Sequence, residues 1–325
     1  MIMQVDVIEN DLYDIEPQIL KILLKDKTTG GNIIWATDAY AAYGVGYAFE
    51  DEIHPGCITG FFEGIIKPRV EKTKSEQKFR VRQKAEVFTP SWVCNKQNNL
   101  VDSGWFNGVS PFNTETDEGW ETICEKVVFP EGKTWQDYVK ANRLEISCGE
   151  APYICSRYDT VTGEKIPVED RIGLLDRKLR IVSENVDSEP EWVIWAKKAI
   201  QSVYGYDWQG DNVLLARENV FYTFFEHYEH KFTVPPIREY LVAVAKIVAW
   251  NIWQMDGLKM VIPNSCKCTE PEQTNIFGES EGAEPCPACS GKPNTRHTGI
   301  YCKTYDWSHD HSFVFETMIS KGTKA

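Results

Sequence analysis

Three short apolar runs, each ending in residues suited to a polar ligand, constrain this chain more than any other feature. They are Leu144-Glu145-Ile146-Ser147-Cys148-Gly149, Tyr204-Gly205-Tyr206-Asp207 and Tyr301-Cys302-Lys303-Thr304-Tyr305-Asp306. Helical spacing fills much of the sequence between them. Residues 191–203 put Trp192, Trp195, Ala196, Ala199 and Ile200 on one stripe, the pattern of a helix with one buried face. Further helices are expected over 135–142, 168–182, 211–228 and 237–253. Strands alternating with helices predict an open α/β sheet, in which ligands lie outside the carboxyl ends of the strands. A small turn after the first strand lets the backbone approach such a ligand. An acid after the second can accept ribose hydroxyls, and an acid after the third can meet the amine of an adenine.

Composition narrows the class. The chain has 325 residues, which suggests about two domains or one large domain with an insertion. With 35 Lys and Arg against 48 Asp and Glu, the net charge is −13. That argues against coating nucleic acid by bulk charge, because phosphate contacts rest on Lys and Arg. One local exception stands out in residues 67–84. Lys67, Arg69, Lys72, Lys74, Lys78, Arg80, Arg82 and Lys84 face only Glu71 and Glu76 there. The run reads either as a solvated helix face or as a phosphate-contacting arm built on Lys78, Arg80, Arg82 and Lys84. No apolar run approaches the length of a membrane span, and residues 1–17 lack a signal-peptide pattern, so a cytoplasmic protein without membrane partners is expected.

Ten cysteines without an export signal point to thiols or metal rather than disulfides. Cys266-Lys267-Cys268 followed by Cys286-Pro287-Ala288-Cys289 forms a paired-knuckle pattern. Four thiolates so spaced can close a tetrahedral shell around zinc. The acidic, glycine-bearing segment between the pairs has little to fold around, so the metal would supply its folding energy. His297 and Cys302 are nearby substitutes for any of the four, and free thiols on an insertion are the alternative. The pattern leaves no open coordination position and reads as structural.

In order along the chain, these motifs resemble the adenine-N6 DNA methyltransferases of restriction-modification systems, in particular the type I and type IIG methylase subunits. Phe88-Thr89-Pro90 is similar to that family's opening Phe-Thr-Pro motif, and 145–151 to its Asp-Pro-Ala-Cys-Gly-Ser-Gly loop, which holds S-adenosylmethionine (SAM). Asp207, with the helix Leu214-Leu215-Ala216-Arg217-Glu218-Asn219, resembles the ribose-binding motif. Residues 251–257 resemble the helix end before the third strand, and Asp306 the acid expected at the cofactor adenine. The resemblance implies a Rossmann-like α/β methyltransferase sheet with an N-terminal segment and a zinc-knuckle insertion. It also implies cofactor contacts from Phe88, Thr89, Pro90, Glu145, Cys148, Gly149, Asp207 and Asp306. The corresponding organisation is an N-terminal segment with a basic arm (1–79), a core (80–265), a knuckle (266–299) and a last core strand with tail (300–325). DNA would be the partner, in a bacterial or phage-infected cell, and the chemistry direct methyl transfer to N6 of a flipped adenine.

The departures from the family carry equal weight. Ile146, Glu150 and Ala151 replace the family's Pro, Ser and second Gly, and Glu150 adds charge beside the expected cofactor. The long stretch from Gly149 to Tyr204 implies an inserted helical piece around 160–190. No Asn-Pro-Pro-Tyr motif, which would hold the target adenine, occurs in the sequence. Catalysis then needs that loop from a second chain, or the protein is a non-catalytic DNA-binding or regulatory relative. SAM-dependent chemistry on RNA or protein is a third reading. His227, His230, His309 and His311 are read as surface residues, and no nuclease signature stands out.

Overall fold

The computed structural model describes residues 9–84, 89–267, 285–293 and 295–318. The chain begins with α1 (Glu9–Ile15) and α2 (Pro17–Leu24), then passes through short 3-10 turns to α3 (Lys74–Lys84) and α4 (Ser91–Trp105). A small hairpin, β1 (Asn113–Thr116) and β2 (Gly119–Thr122), leads to α5 (Trp135–Lys140) and β3 (Arg143–Ile146). Then come α6 (Leu174–Asn185), α7 (Glu189–Gln201), β4 (Val203–Asp207), α8 (Gly210–Phe232), α9 (Arg238–Asn251) and β5 (Ile252–Gln254). A second hairpin, β6 (Lys303–Asp306) and β7 (His311–Val314), closes the described chain.

The fold is mixed α/β with sheets of few strands. Its centre is a parallel sheet in the order β3-β4-β5, with Ile146 opposite Tyr206 and Asp207 opposite Gln254. One face, carrying Val203 and Ile252, packs on a helical layer in which α7, α8 and α9 touch the strands. The other, carrying Tyr206 and Trp253, packs against Cys302 and Phe315 of the second hairpin. Residues 152–173, before α6, are irregular apart from a 3-10 turn at Val168–Asp170, so the inserted piece is less helical than expected.

Local chemistry fixes the ends of these elements. Thr134 and Asp137 form a reciprocal capping box at the start of α5, which satisfies two amides that the helix itself cannot. Helix α9 stops at Asn251, whose side-chain amide donates to Ile200 O (2.8 Å) and Val203 O (2.9 Å), and the chain becomes β5 at once. Gly210 opens α8 so close to Ile34 that a Cβ would lie 2.0 Å from the Ile34 carbonyl oxygen.

The N-terminal helices belong to the same core as the sheet. Ile19, Leu20, Leu23 and Leu24 of α2 are buried, and α2 packs against α9. Buried Arg217 of α8 binds them together by donating to the carbonyls of Leu23 and Lys25 at the end of α2, and of Ala249 and Ile252 at the end of α9. Its positive charge sits where two helices present their negative ends. Gln254 joins 33–35 to the sheet by accepting from Ile34 N (2.9 Å) and donating to Ile34 O (2.8 Å).

Two expectations are corrected here. The third parallel strand is 252–254, not 301–306. The 301–306 run instead pairs antiparallel with β7 and travels against β5: Cys302 Sγ meets Gln254 O at 3.3 Å, and Tyr204 Oη donates to Tyr305 O at 3.1 Å. His227 is not at the surface either; it is buried, with Nε2 2.9 Å from Asp176 Oδ1. Among the described residues, no helix is long and apolar enough to cross a membrane.

Candidate functional site

At the carboxyl edge of the parallel sheet, the loop after β3 and the acid ending β4 are in direct contact. Ser147, Gly149 and Ala151 all have positive φ (48°, 53° and 61°), so the chain coils through alternating left-handed residues. Such a run can turn its amides toward a common point. The Gly149 amide donates to Asp207 Oδ2 at 2.9 Å, while Gln209 N (3.1 Å) and Asn212 Nδ2 (3.3 Å) reach Asp207 Oδ1. The space where a Gly149 side chain would stand is open. Cys148 is buried beneath the loop, and its thiol is pushed up by burial and by the charges of Asp207 and Glu145.

Glu145 is buried and accepts from Tyr153 N (3.4 Å) and Ile154 N (3.1 Å). Burial raises its carboxyl to about 8 despite those two bonds, and the charge of Asp207 adds to the rise. Glu145 therefore braces the loop from below. The Glu150 carboxylate is also turned inward, accepting from Arg69 N (2.6 Å) and Tyr158 Oη (2.8 Å). Its charge is committed to the protein's own donors rather than to the open side of the loop.

Of the Phe-Thr-Pro motif, Phe88 lies outside the described residues. Thr89 O accepts from Thr160 Oγ1 at 3.0 Å and from Cys94 Sγ at 3.6 Å, and Pro90 caps α4. Thr89 also bonds the Tyr153 side chain, whose backbone amide reaches Glu145. Thr89 and Pro90 thus stand beside the loop that follows β3. Asp306 does not join this group. It ends β6 near the starts of the parallel strands, and its carboxylate is taken by Ser308 N (2.9 Å), His309 N (3.2 Å) and the His309 ring (2.9 Å). The acid just beyond the third parallel strand is Asp256, which sequence reading passed over; it caps its own turn through Leu258 N (3.0 Å) and Lys259 N (3.1 Å).

The basic run divides. Lys78 is exposed, whereas Arg80 is 4% exposed and ion-pairs with Asp211 in the first turn of α8. Burial alone would raise Asp211, but Arg80 and Lys72, with the Tyr40 hydroxyl, hold it down to about 2. The Arg80 side chain therefore serves the fold rather than an outward phosphate. The side chains of Arg82 and Lys84 lie outside the described residues.

The cysteine cluster is the other candidate centre. Ligand atoms of Cys266, Cys286, Cys289 and His297 all lie within 4.8 Å of one another. His297 Nδ1 is 3.8 Å from Cys266 Sγ, 3.7 Å from Cys286 Sγ and 3.5 Å from Cys289 Sγ. Cys268 lies outside the described residues, and Cys302 is buried against Gln254. Of the two substitutes read from the sequence, the structure brings in His297. Residues 260–262 and 300–302 carry the cluster: Ile262 N donates to Ile300 O at 2.8 Å and Cys302 N to Met260 O at 3.0 Å. Gly299 must be small, since a Cβ there would lie 2.7 Å from Ser265 Oγ and 3.0 Å from Cys266 Sγ. Burial opposes ionisation of Cys286, yet the amides of Cys289 and Thr298 pull its thiol down to about 5, as suits a metal ligand.

Comparisons with family models, curated proteins and solved structures gave no significant match. Fold and site together define a mixed α/β protein carrying a three-cysteine, one-histidine cluster able to hold a metal ion.

Proposed function

We propose that this chain is the cofactor-holding part of a SAM-dependent, adenine-specific (N6) DNA methyltransferase of a restriction-modification or phage DNA-modification system. Another chain would supply the missing Asn-Pro-Pro-Tyr loop. One observation carries the reading: the loop after the first parallel strand donates through Gly149 to Asp207, the acid ending the second. Ligands of parallel α/β sheets lie at this carboxyl edge. The order β3-β4-β5, read outward from β3, agrees with one half of a doubly wound sheet. Thr89 and Pro90 beside the loop, and the inward Glu150, add support.

In this reading Gly149 allows close approach, Asp207 stands on the ribose side of the loop, and Thr89 and Pro90 flank the pocket. SAM would supply the transferable methyl group. The adenine contact expected of Asp306 finds no support, because that residue lies at the other end of the strands. Zinc suits the metal cluster: bond lengths of about 2.3 Å to sulfur and 2.0–2.1 Å to nitrogen imply N···S tetrahedral edges of roughly 3.6 Å, close to the 3.5–3.8 Å found. Three thiolates and one imidazole fill four positions, which makes the ion structural.

Calorimetric titration of the purified chain with SAM tests the proposal. Binding is expected, with loss in Asp207→Ala. No binding by the unaltered chain would favour the second reading, a non-catalytic DNA-binding or regulatory protein that keeps the fold. The lack of an Asn-Pro-Pro-Tyr motif is the observation in that reading's favour.

A further inference from the structure

A cavity of about 580 Å³ lies at the amino-terminal edge of the parallel sheet, opposite the edge discussed above. Its floor is the start of β3 and β4, and the second hairpin forms its wall. The volume falls within the range of small-molecule sites. Neither the cofactor reading nor the metal cluster uses this space.

Its chemistry is specific in two respects. The first is aromatic: Tyr204, Trp253, Trp307 and Phe315 all line it. Two of these rings are fixed by their polar ends, Tyr204 through Tyr305 O (3.1 Å) and Trp307 through Asn251 Oδ1 (2.7 Å). Rings anchored in this way present preformed stacking surfaces. The second is charge. Lys140, Arg143 and Lys198 line the cavity, and the one lining carboxylate among the described residues, Asp306, is engaged by His309 and two backbone amides. A net positive pocket in a chain of net charge −13 favours an anion locally against the overall field.

We infer that this cavity binds a planar aromatic anion of mononucleotide size, its ring among the aromatic walls and its anionic group at Lys140, Arg143 and Lys198. The site goes beyond the methyltransferase reading and does not depend on it. Aromatic stacking tolerates any base, so the pocket should select for ring plus charge more than for base identity.

The test is titration of the full chain with AMP, GMP, CMP and UMP separately, followed by tryptophan fluorescence, with inorganic phosphate as a parallel probe. At least one nucleotide should bind. Replacing both Lys140 and Lys198 by Gln should weaken it roughly tenfold or more. Leu144→Trp, at a lining position that is 46% exposed and so tolerant of change, should fill the cavity and abolish binding. Asp207→Ala should retain it, which separates this site from the SAM site and shows that variant to be folded. Failure of all four nucleotides to bind overturns the inference. So does phosphate binding as tightly as nucleotide, or nucleotide binding that Asp207→Ala removes and the lysine changes spare.

Discussion

The helical layer and the metal lobe hold their shape by different means. Around β4 and β5, Val203, Ile252, Leu214, Phe224 and Val248 are fully buried in one continuous cluster. That core is large enough to hold charged groups such as Arg217 and Asp211 at no exposure. The lobe at 285–302 has little of this. Its described residues are largely exposed or half-buried, and what gathers them is a cluster of four potential ligand atoms and a few backbone bonds to 260–262. Where apolar burial is plentiful, the fold absorbs buried charge; where it is scarce, the chain instead brings together residues able to coordinate a metal.

Metal removal should give the largest effect, because structural zinc binding is worth on the order of 10 kcal/mol or more. A strong chelator, or Cys289→Ser, is expected to expose 285–302 to protease while the helical circular dichroism signal persists. An unchanged digestion pattern would show that the lobe does not depend on metal. The next largest effect falls in the core. Asp211→Ala strands Arg80 without its buried partner and should cost about 3–5 kcal/mol in urea unfolding. Asp211 is held down to about 2, so its contribution is full above the ordinary carboxylate value and fades as pH falls toward 2. A variant as stable as the parent would mean that the pair carries no weight.

Glu145 has the opposite sign. Its carboxyl is raised to about 8, so the folded chain holds a proton that the unfolded chain releases earlier. Stability therefore falls as pH rises from the ordinary carboxylate value to about 8. Glu145→Gln should flatten that limb, by on the order of 3 kcal/mol between pH 5 and 8.5; equal slopes would remove the assignment. The smallest effect concerns DNA. Charge reversal at exposed Lys78 should lower affinity and reduce the salt slope by about one, while Arg80→Ala should act mainly through stability. An unaltered salt slope in the Lys78 variant would exclude that lysine from the contact.

Much of this architecture was legible because it is periodic. The stripe of Trp192, Ala196, Ala199 and Ile200 marked α7, and Val203–Asp207 emerged as a strand with its acid at the expected end. Strand β5 escaped because its three residues follow α9 without a break and continue the apolar pattern; the side chain of Asn251 makes the boundary, and spacing cannot show that. Residues 301–306 alternate like a core strand but owe their place to the turn before His311. In the metal cluster, three thiols were read from spacing, and His297 entered because Ile300–Cys302 folds back along Met260–Ile262. The basic run was visible as charge, but one-dimensional charge says nothing of burial, and Arg80 turned inward.

Arg217 carries a consequence for how the chain can be divided. Its guanidinium bridges carbonyls that end α2 and carbonyls that end α9, positions more than two hundred residues apart in sequence. Neither helix can leave without taking acceptors away from a buried cation. A shortened chain beginning at residue 80 would lose half of that clasp along with the apolar stripe of α2. Deletion scanning from the amino end should therefore show an abrupt loss of soluble protein once α2 is cut, rather than a gradual decline.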